Sequence, residues 1–151
     1  MSGTMIIDGK KVNFNDQKNI LSVIRDSNID LPTFCYHSEL SIYGACRMCS
    51  VETSDGKIIA SCSELPKNGL EIYTNSPRIR KYRKMILELL LSNHDRDCTS
   101  CERTGKCQLQ KLARRYGINQ IRFNQLIVEN EIDNSSPSIV RNPNKCIKCG
   151  D

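Results

Sequence analysis

Nine cysteines in 151 residues constrain this chain more than any other feature. They fall into three groups. Cys35, Cys46, Cys49 and Cys62 have the spacing C-x10-C-x2-C-x12-C. Cys98, Cys101 and Cys107 follow C-x2-C-x5-C, and Cys146 and Cys149 form a last C-x2-C pair. An odd count argues against a closed disulfide framework. The N-terminal MSGTMIIDGKK has no basic region and only a short apolar run, so it does not read as a signal peptide. The longest apolar stretch, MILELLL, carries a Glu and is far shorter than a membrane span. A reducing, cytoplasmic setting is expected, and there clustered cysteines point to metal or redox centres.

Turn signals and hydrophobic spacing predict an α+β chain. TMII, the Asp8-Gly9 turn and KKVNF read as a hairpin. Asp16 stands where it could cap a helix reaching about Ser27, with Ile20, Leu21 and Ile24 on one face. CSVET, the SDGK turn and IIASC read as a second hairpin, and GLEIYT as a further strand. Between the first helix and the second hairpin, residues 31–49 form a long aperiodic segment. The character changes at Asn75. Ser76 suits an N-cap, Pro77 suits the first helical position, and Ile79, Tyr82, Met85, Ile86, Leu89 and Leu90 recur at helical spacing to about Asn93. A short helix is expected from about Lys106 to Tyr116, with Leu109, Leu112, Ala113 and Tyr116 on its apolar face and Gly117 past its end. IRFNQLIVENEID, starting at Ile121, reads as a strand or a linker. The expected organisation is a sheet domain over 1–75, a helical domain over 76–117, a linker over 118–137 and a new start over 138–151.

Four thiolates can hold a [2Fe–2S] core, two on each iron. The small Gly44 and Ala45 let backbone N–H groups come close to its sulfurs. Four cysteines can also build a structural zinc site, or simply be buried and free. The second group is one ligand short. His94 lies four residues before Cys98, giving H-x3-C-x2-C-x5-C. A histidine near a helix end can equally be solvated, and Cys146 or Cys149 could fill the place instead. Cys107 is expected at a helix start, where the dipole favours a thiolate.

The stretch PTFCYHSELSIYGACRMCSVE, Pro32–Glu52, resembles the [2Fe–2S] loop of one family group. The group comprises the N-terminal region of [FeFe]-hydrogenases, the large G-type iron–sulfur subunit of respiratory complex I, and the alpha subunits of NAD-linked formate dehydrogenases. The first gap of ten residues separates it from plant-type ferredoxins, where that gap is four. The resemblance covers nearly the whole chain. It implies a ferredoxin-like β-grasp domain over 1–75 with Cys35, Cys46, Cys49 and Cys62 as [2Fe–2S] ligands. It then implies a small helical [4Fe–4S] domain over 76–117 with His94, Cys98, Cys101 and Cys107 as ligands. In the same families a two-cluster [4Fe–4S] ferredoxin domain follows, opening with C-x2-C-x2-C-x3-C. NKCIKCGD, with Cys146 and Cys149, matches only its opening, so 138–151 reads as the truncated start of that domain and an incomplete third site. His37 lies inside the loop motif and is expected to be structural.

The resemblance implies an electron-transfer module wiring part of a hydrogenase, NADH dehydrogenase or formate dehydrogenase. Its partners would be other iron–sulfur or flavin subunits or domains. No catalytic residue is assigned, because the chain has no nucleotide-binding glycine motif, no hydrogen-activating cysteine set and no molybdenum-site signature. The alternatives are a free-standing iron–sulfur carrier subunit and a zinc-stabilised binding module. The basic run RIRKYRK, Arg78–Lys84, could suggest nucleic acid, but it reads better as the wet face of the long helix. Clusters netting about −2 and −1 with their thiolates bring the formal +5 down to about +2, a weak footprint for a polyanion. Neither a nucleic-acid partner nor a membrane span is expected.

Overall fold

The computed structural model describes residues 2–124 and 130–149. They group into two compact units. One runs to Arg83 and takes in Cys149; the other is Lys84–Lys148.

The first unit is built on a five-stranded mixed sheet. Strands β1 (Ser2–Ile7) and β2 (Lys10–Asn15) pair antiparallel around Asp8 and Gly9. Both turn residues have positive φ, 49° and 81°, as a tight hairpin of this hand requires. β3 (Ser50–Thr53) and β4 (Ile58–Ala60) form the second hairpin, and β5 (Glu71–Tyr73) lies between the two pairs. The order is β2-β1-β5-β3-β4, with β1 and β5 parallel and every other pair antiparallel. Alternating residues of the strands, such as Met5 and Ile7, are buried together with Ile20, Leu21, Val23 and Ile24 of α1 (Ile20–Asp26).

Asn19, not Asp16, caps α1. Its side chain accepts from Ser22 N at 2.9 Å and donates to the Tyr36 hydroxyl at 3.2 Å, while Asp16 sits upstream at φ 46°. Two further N–H groups of the first turn are taken up by the chain around Cys62: Ile20 N donates to Glu64 O at 2.8 Å and Leu21 N to Ser61 O at 2.9 Å. Helix and cysteine loop are thus tied through the donors a helix start leaves over. Asn19→Ala is expected to cost about 1 kcal/mol. The check is the urea midpoint of the chain, which should fall at an unchanged slope.

α2 (Pro77–Ser92) starts as its sequence predicts, with Ser76 Oγ accepting from Ile79 N at 3.2 Å. Its buried stripe is not the expected one. Ile79, Arg83, Leu87 and Glu88 are buried, whereas Met85 and Leu89 are exposed. The stripe follows i, i+4, i+8, and its polar members are affordable because they find partners. Glu88 Oε2 accepts from Arg122 Nε at 2.7 Å. Arg83 is taken up below. α3 (Gln108–Arg115) buries Leu109 and Leu112 and ends at Gly117, whose φ is 60° and whose N–H donates to Arg114 O at 3.1 Å. Part of the strand-or-linker reading, 125–129, lies outside the described residues. Beyond it, Asp133 and Arg141 form an isolated antiparallel bridge. Among the described residues no helix is long and apolar enough to cross a membrane.

Candidate metal centres

The aperiodic segment after α1 wraps its cysteines inward. Cys35, Cys46, Cys49 and Cys62 are all buried. Positive φ at Gly44 (67°) and at Arg47 (57°) turns the backbone within the loop. Cys35 and Cys46 sulfurs stand 3.2 Å apart. Cys46 N donates to Cys35 Sγ at 3.3 Å, and Phe34 N to Cys46 Sγ at 3.4 Å. Two thiolates on one tetrahedral metal, at bonds of about 2.3 Å, lie about 3.8 Å apart. The pair is therefore near the spacing one shared metal would set. Cys49 and Cys62 are the other pair. The Cys62 thiol donates to Cys49, bringing the Cys49 thiol down to about 6 and driving that of Cys62 far up. Burial, the larger influence, pushes Cys46 up to about 11. One thiolate is thus already favoured here, and a bound metal must displace the remaining protons. Ser61 donates to Cys49 O at 2.7 Å and fixes the strand end between the two ligand positions.

The second unit gathers the other candidates around a cavity of about 620 Å³. His94, Cys98, Cys101 and Cys107 all line it, with Leu91, Leu109 and Ile121 among the apolar walls. His94 follows the end of α2, and Cys107 is the N-cap residue of α3, without a capping bond from its side chain. Nδ1 of His94 is buried and has no hydrogen-bond partner among the described residues. An imidazole nitrogen in that state costs free energy unless something binds it. Burial also lowers the His94 pKa, favouring the neutral ring that can donate a lone pair to a metal. The loop from Asp95 to Thr104 is tied by its own groups. Asp97 Oδ1 accepts from Thr99 Oγ1 at 2.6 Å, and Thr104 N donates to Cys101 O at 3.0 Å. Lys145 Nζ pairs with Asp95 Oδ2 at 2.7 Å and donates to Asp97 O at 2.9 Å.

Two family models match the stretches that contain these cysteines and His94. Residues 4–77 match the 2Fe-2S iron–sulfur cluster binding domain, and residues 83–122 match the NADH-ubiquinone oxidoreductase-G iron–sulfur binding region. The chain thus carries the two iron–sulfur binding regions of the family group that its loop motif resembles. Both cluster-binding domains of that family, [2Fe–2S] and [4Fe–4S], are present. The 78 kDa subunit of mitochondrial NADH-ubiquinone oxidoreductase from Candida albicans is 36% identical over 146 residues, spanning 95% of this chain and 20% of that protein. The NADP-reducing hydrogenase subunit HndD of Solidesulfovibrio fructosivorans is 37% identical, spanning 97% and 26%. A solved NAD+-reducing [NiFe]-hydrogenase in the H2-reduced state superposes with a TM-score of 0.91 at 32% identity, over 99% of this chain and 64% of that one. That hydrogenase is of the [NiFe] type, a class outside the three the loop motif resembles. The chain spans about a fifth to a quarter of the curated relatives it matches.

Other residues of the chain stand apart from the two donor sets. His37 is exposed, and its Nδ1 accepts from Glu39 N at 3.2 Å. Cys146 is exposed and Cys149 half-buried; Lys148 N donates to Cys146 Sγ at 3.3 Å. Among the described residues no three His, Cys, Asp or Glu side chains converge as on a single ion. Sequence reasoning missed two groups beside the sites. Lys145 was read only as part of the third motif. Arg83 was read as wet, although the series Ile79, Arg83, Leu87 at four-residue intervals was there to be seen.

Proposed function

We propose that the chain is an electron-transfer module in which Cys35, Cys46, Cys49 and Cys62 hold a [2Fe–2S] cluster and His94, Cys98, Cys101 and Cys107 hold a [4Fe–4S] cluster. The observation that carries it is that His94 lines a cavity together with three cysteines while its Nδ1 is buried and has no partner among the described residues. Such a nitrogen calls for an electrophile, and the other donors there are soft thiols that suit iron–sulfur chemistry. When bound, each cluster supplies a store for a single electron. The protein's own contribution is to bury the thiolates and to aim backbone N–H groups, as Phe34 and Cys46 do, at sulfur.

The domain organisation proposed is a [2Fe–2S] domain over 1–75 and a [4Fe–4S] domain over 76–117, with 118–137 as linker and 138–151 opening a further cluster motif. The parent is an oxidoreductase handling a nicotinamide cofactor, as the relatives' names suggest, and the partners are its other iron–sulfur or flavin components. A reducing compartment, the cytoplasm, suits nine free thiols; one of the relatives is mitochondrial by name. The test is the metal content of the chain purified without oxygen. About six irons per chain, two and four for the two cluster types, with a brown colour that bleaches on reduction, are expected. A colourless protein holding zinc sinks the redox reading.

A further inference from the structure

We propose that Arg83 is a positioning residue of the [2Fe–2S] centre, setting its reduction potential from behind the Cys49 ligand peptide. The inference rests on the reading of Cys35, Cys46, Cys49 and Cys62 as cluster ligands. Arg83 is 2% exposed, a guanidinium inside the first unit. Nε donates to Met48 O at 3.0 Å, Nη2 to Ser50 O at 2.6 Å and Nη1 to Thr74 O at 2.9 Å. Met48 and Ser50 are the two neighbours of Cys49.

The peptide joining Met48 to Cys49 is planar and trans, so its C=O and N–H point in opposite directions. Its C=O is on Arg83. Its N–H is that of Cys49, the residue whose sulfur is the proposed ligand. The cation therefore polarises a peptide dipole whose positive end is carried by Cys49 itself, and it places a buried positive charge beside that residue. Hydrogen bonds to ligand sulfur and nearby positive charge both favour the reduced, more negative cluster. Three carbonyls converge at this point. A neutral Asn or Gln has two N–H donors and a Lys cannot present a planar fork, whereas Arg serves all three from one rigid group. Burying a guanidinium is costly, and the residue is tied to both sides of the ligand position, which a general brace of the core would not require.

The test is a redox titration of the whole chain carrying both clusters, followed by paramagnetic resonance of the reduced [2Fe–2S] centre. Arg83→Met is expected to keep the centre and lower its potential. At the wild-type midpoint the reduced-to-oxidised ratio should fall about tenfold, or about 59 mV for one electron. Arg83→Lys keeps the charge, loses the fork, and should shift the same way by less. The [4Fe–4S] midpoint serves as the internal reference and should stay in place. If Arg83→Met does not assemble the centre, Arg83→Lys decides: a lower midpoint supports the role, an unchanged one overturns it. Equal midpoints in Arg83→Met and wild type overturn it as well, and so does a parallel shift of both clusters, which marks general loosening. A wild-type chain without any [2Fe–2S] signal fails at the ligand assignment itself and takes this inference with it.

Discussion

Changing Cys49 to Ser is expected to abolish the [2Fe–2S] spectrum and to drop the iron content from about six to about four per chain. Of the four proposed [2Fe–2S] ligands, Cys49 and Cys62 are the most enclosed. Cys49 is 1% exposed, its carbonyl is held by Ser61, and its thiol is the one brought down to about 6 by the Cys62 thiol. A serine hydroxyl there is harder, shorter and protonated, and cannot replace a soft thiolate on iron. With the Cys49–Cys62 pair broken, Cys35 and Cys46 alone retain two of the four ligands. Iron and acid-labile sulfide analysis with visible circular dichroism reads the outcome. Cys146→Ser, at an exposed position outside both donor sets, should leave both spectra unchanged. Survival of the [2Fe–2S] bands in Cys49→Ser would remove Cys49 from the ligand set.

The second large effect is expected at His94. Replacing a neutral imidazole by a thiolate adds a negative charge to the [4Fe–4S] centre. His94→Cys should therefore keep four irons in the second unit and lower their potential by on the order of 100 mV, the direction opposite to the rise that histidines bring to Rieske centres. His94→Ala should leave that cluster short of a ligand and lost on exposure to air. The site is suited to the exchange because His94 already lines the cavity, with Nδ1 buried and without a partner among the described residues. An unshifted midpoint in His94→Cys, together with a stable cluster in His94→Ala, would return His94 to the role of a half-buried helix-end residue.

Much of this architecture is readable in the residue order because it rests on local chemistry. The Asp8-Gly9 turn, the Pro77 helix start and the Gly117 stop are each imposed by backbone preferences that need no distant partner. Ligand spacing is legible for the same reason, since a cluster must be wrapped by short loops. What escaped depends on groups brought together from far along the chain. Asp16 and Asn19 are both competent caps by type. The choice of Asn19 follows from Tyr36, seventeen residues away, and from the carbonyls of Ser61 and Glu64 that receive the helix start. Arg83 belongs to a run of basic residues that looks solvated in isolation. Its burial is sensible only once the carbonyls of Met48, Ser50 and Thr74 have been assembled around it. The outward turn of Met85 and Leu89 follows from that same rotation of α2.

The central place of β5 fixes when, in the order of synthesis, the sheet can close. Among the described residues, Glu71–Tyr73 is the strand that pairs with both hairpins in the sheet, yet Cys35, Cys46, Cys49 and Cys62 all precede it in the sequence. A growing chain that has not yet released Tyr73 lacks the strand that bridges its two hairpins within the sheet, and only α1 packs against both. Iron offered at that stage meets a floppy chelator with no reason to prefer one pairing of sulfurs over another. The proposed ligands therefore gain a finished sheet behind them only once the fifth strand has slotted in.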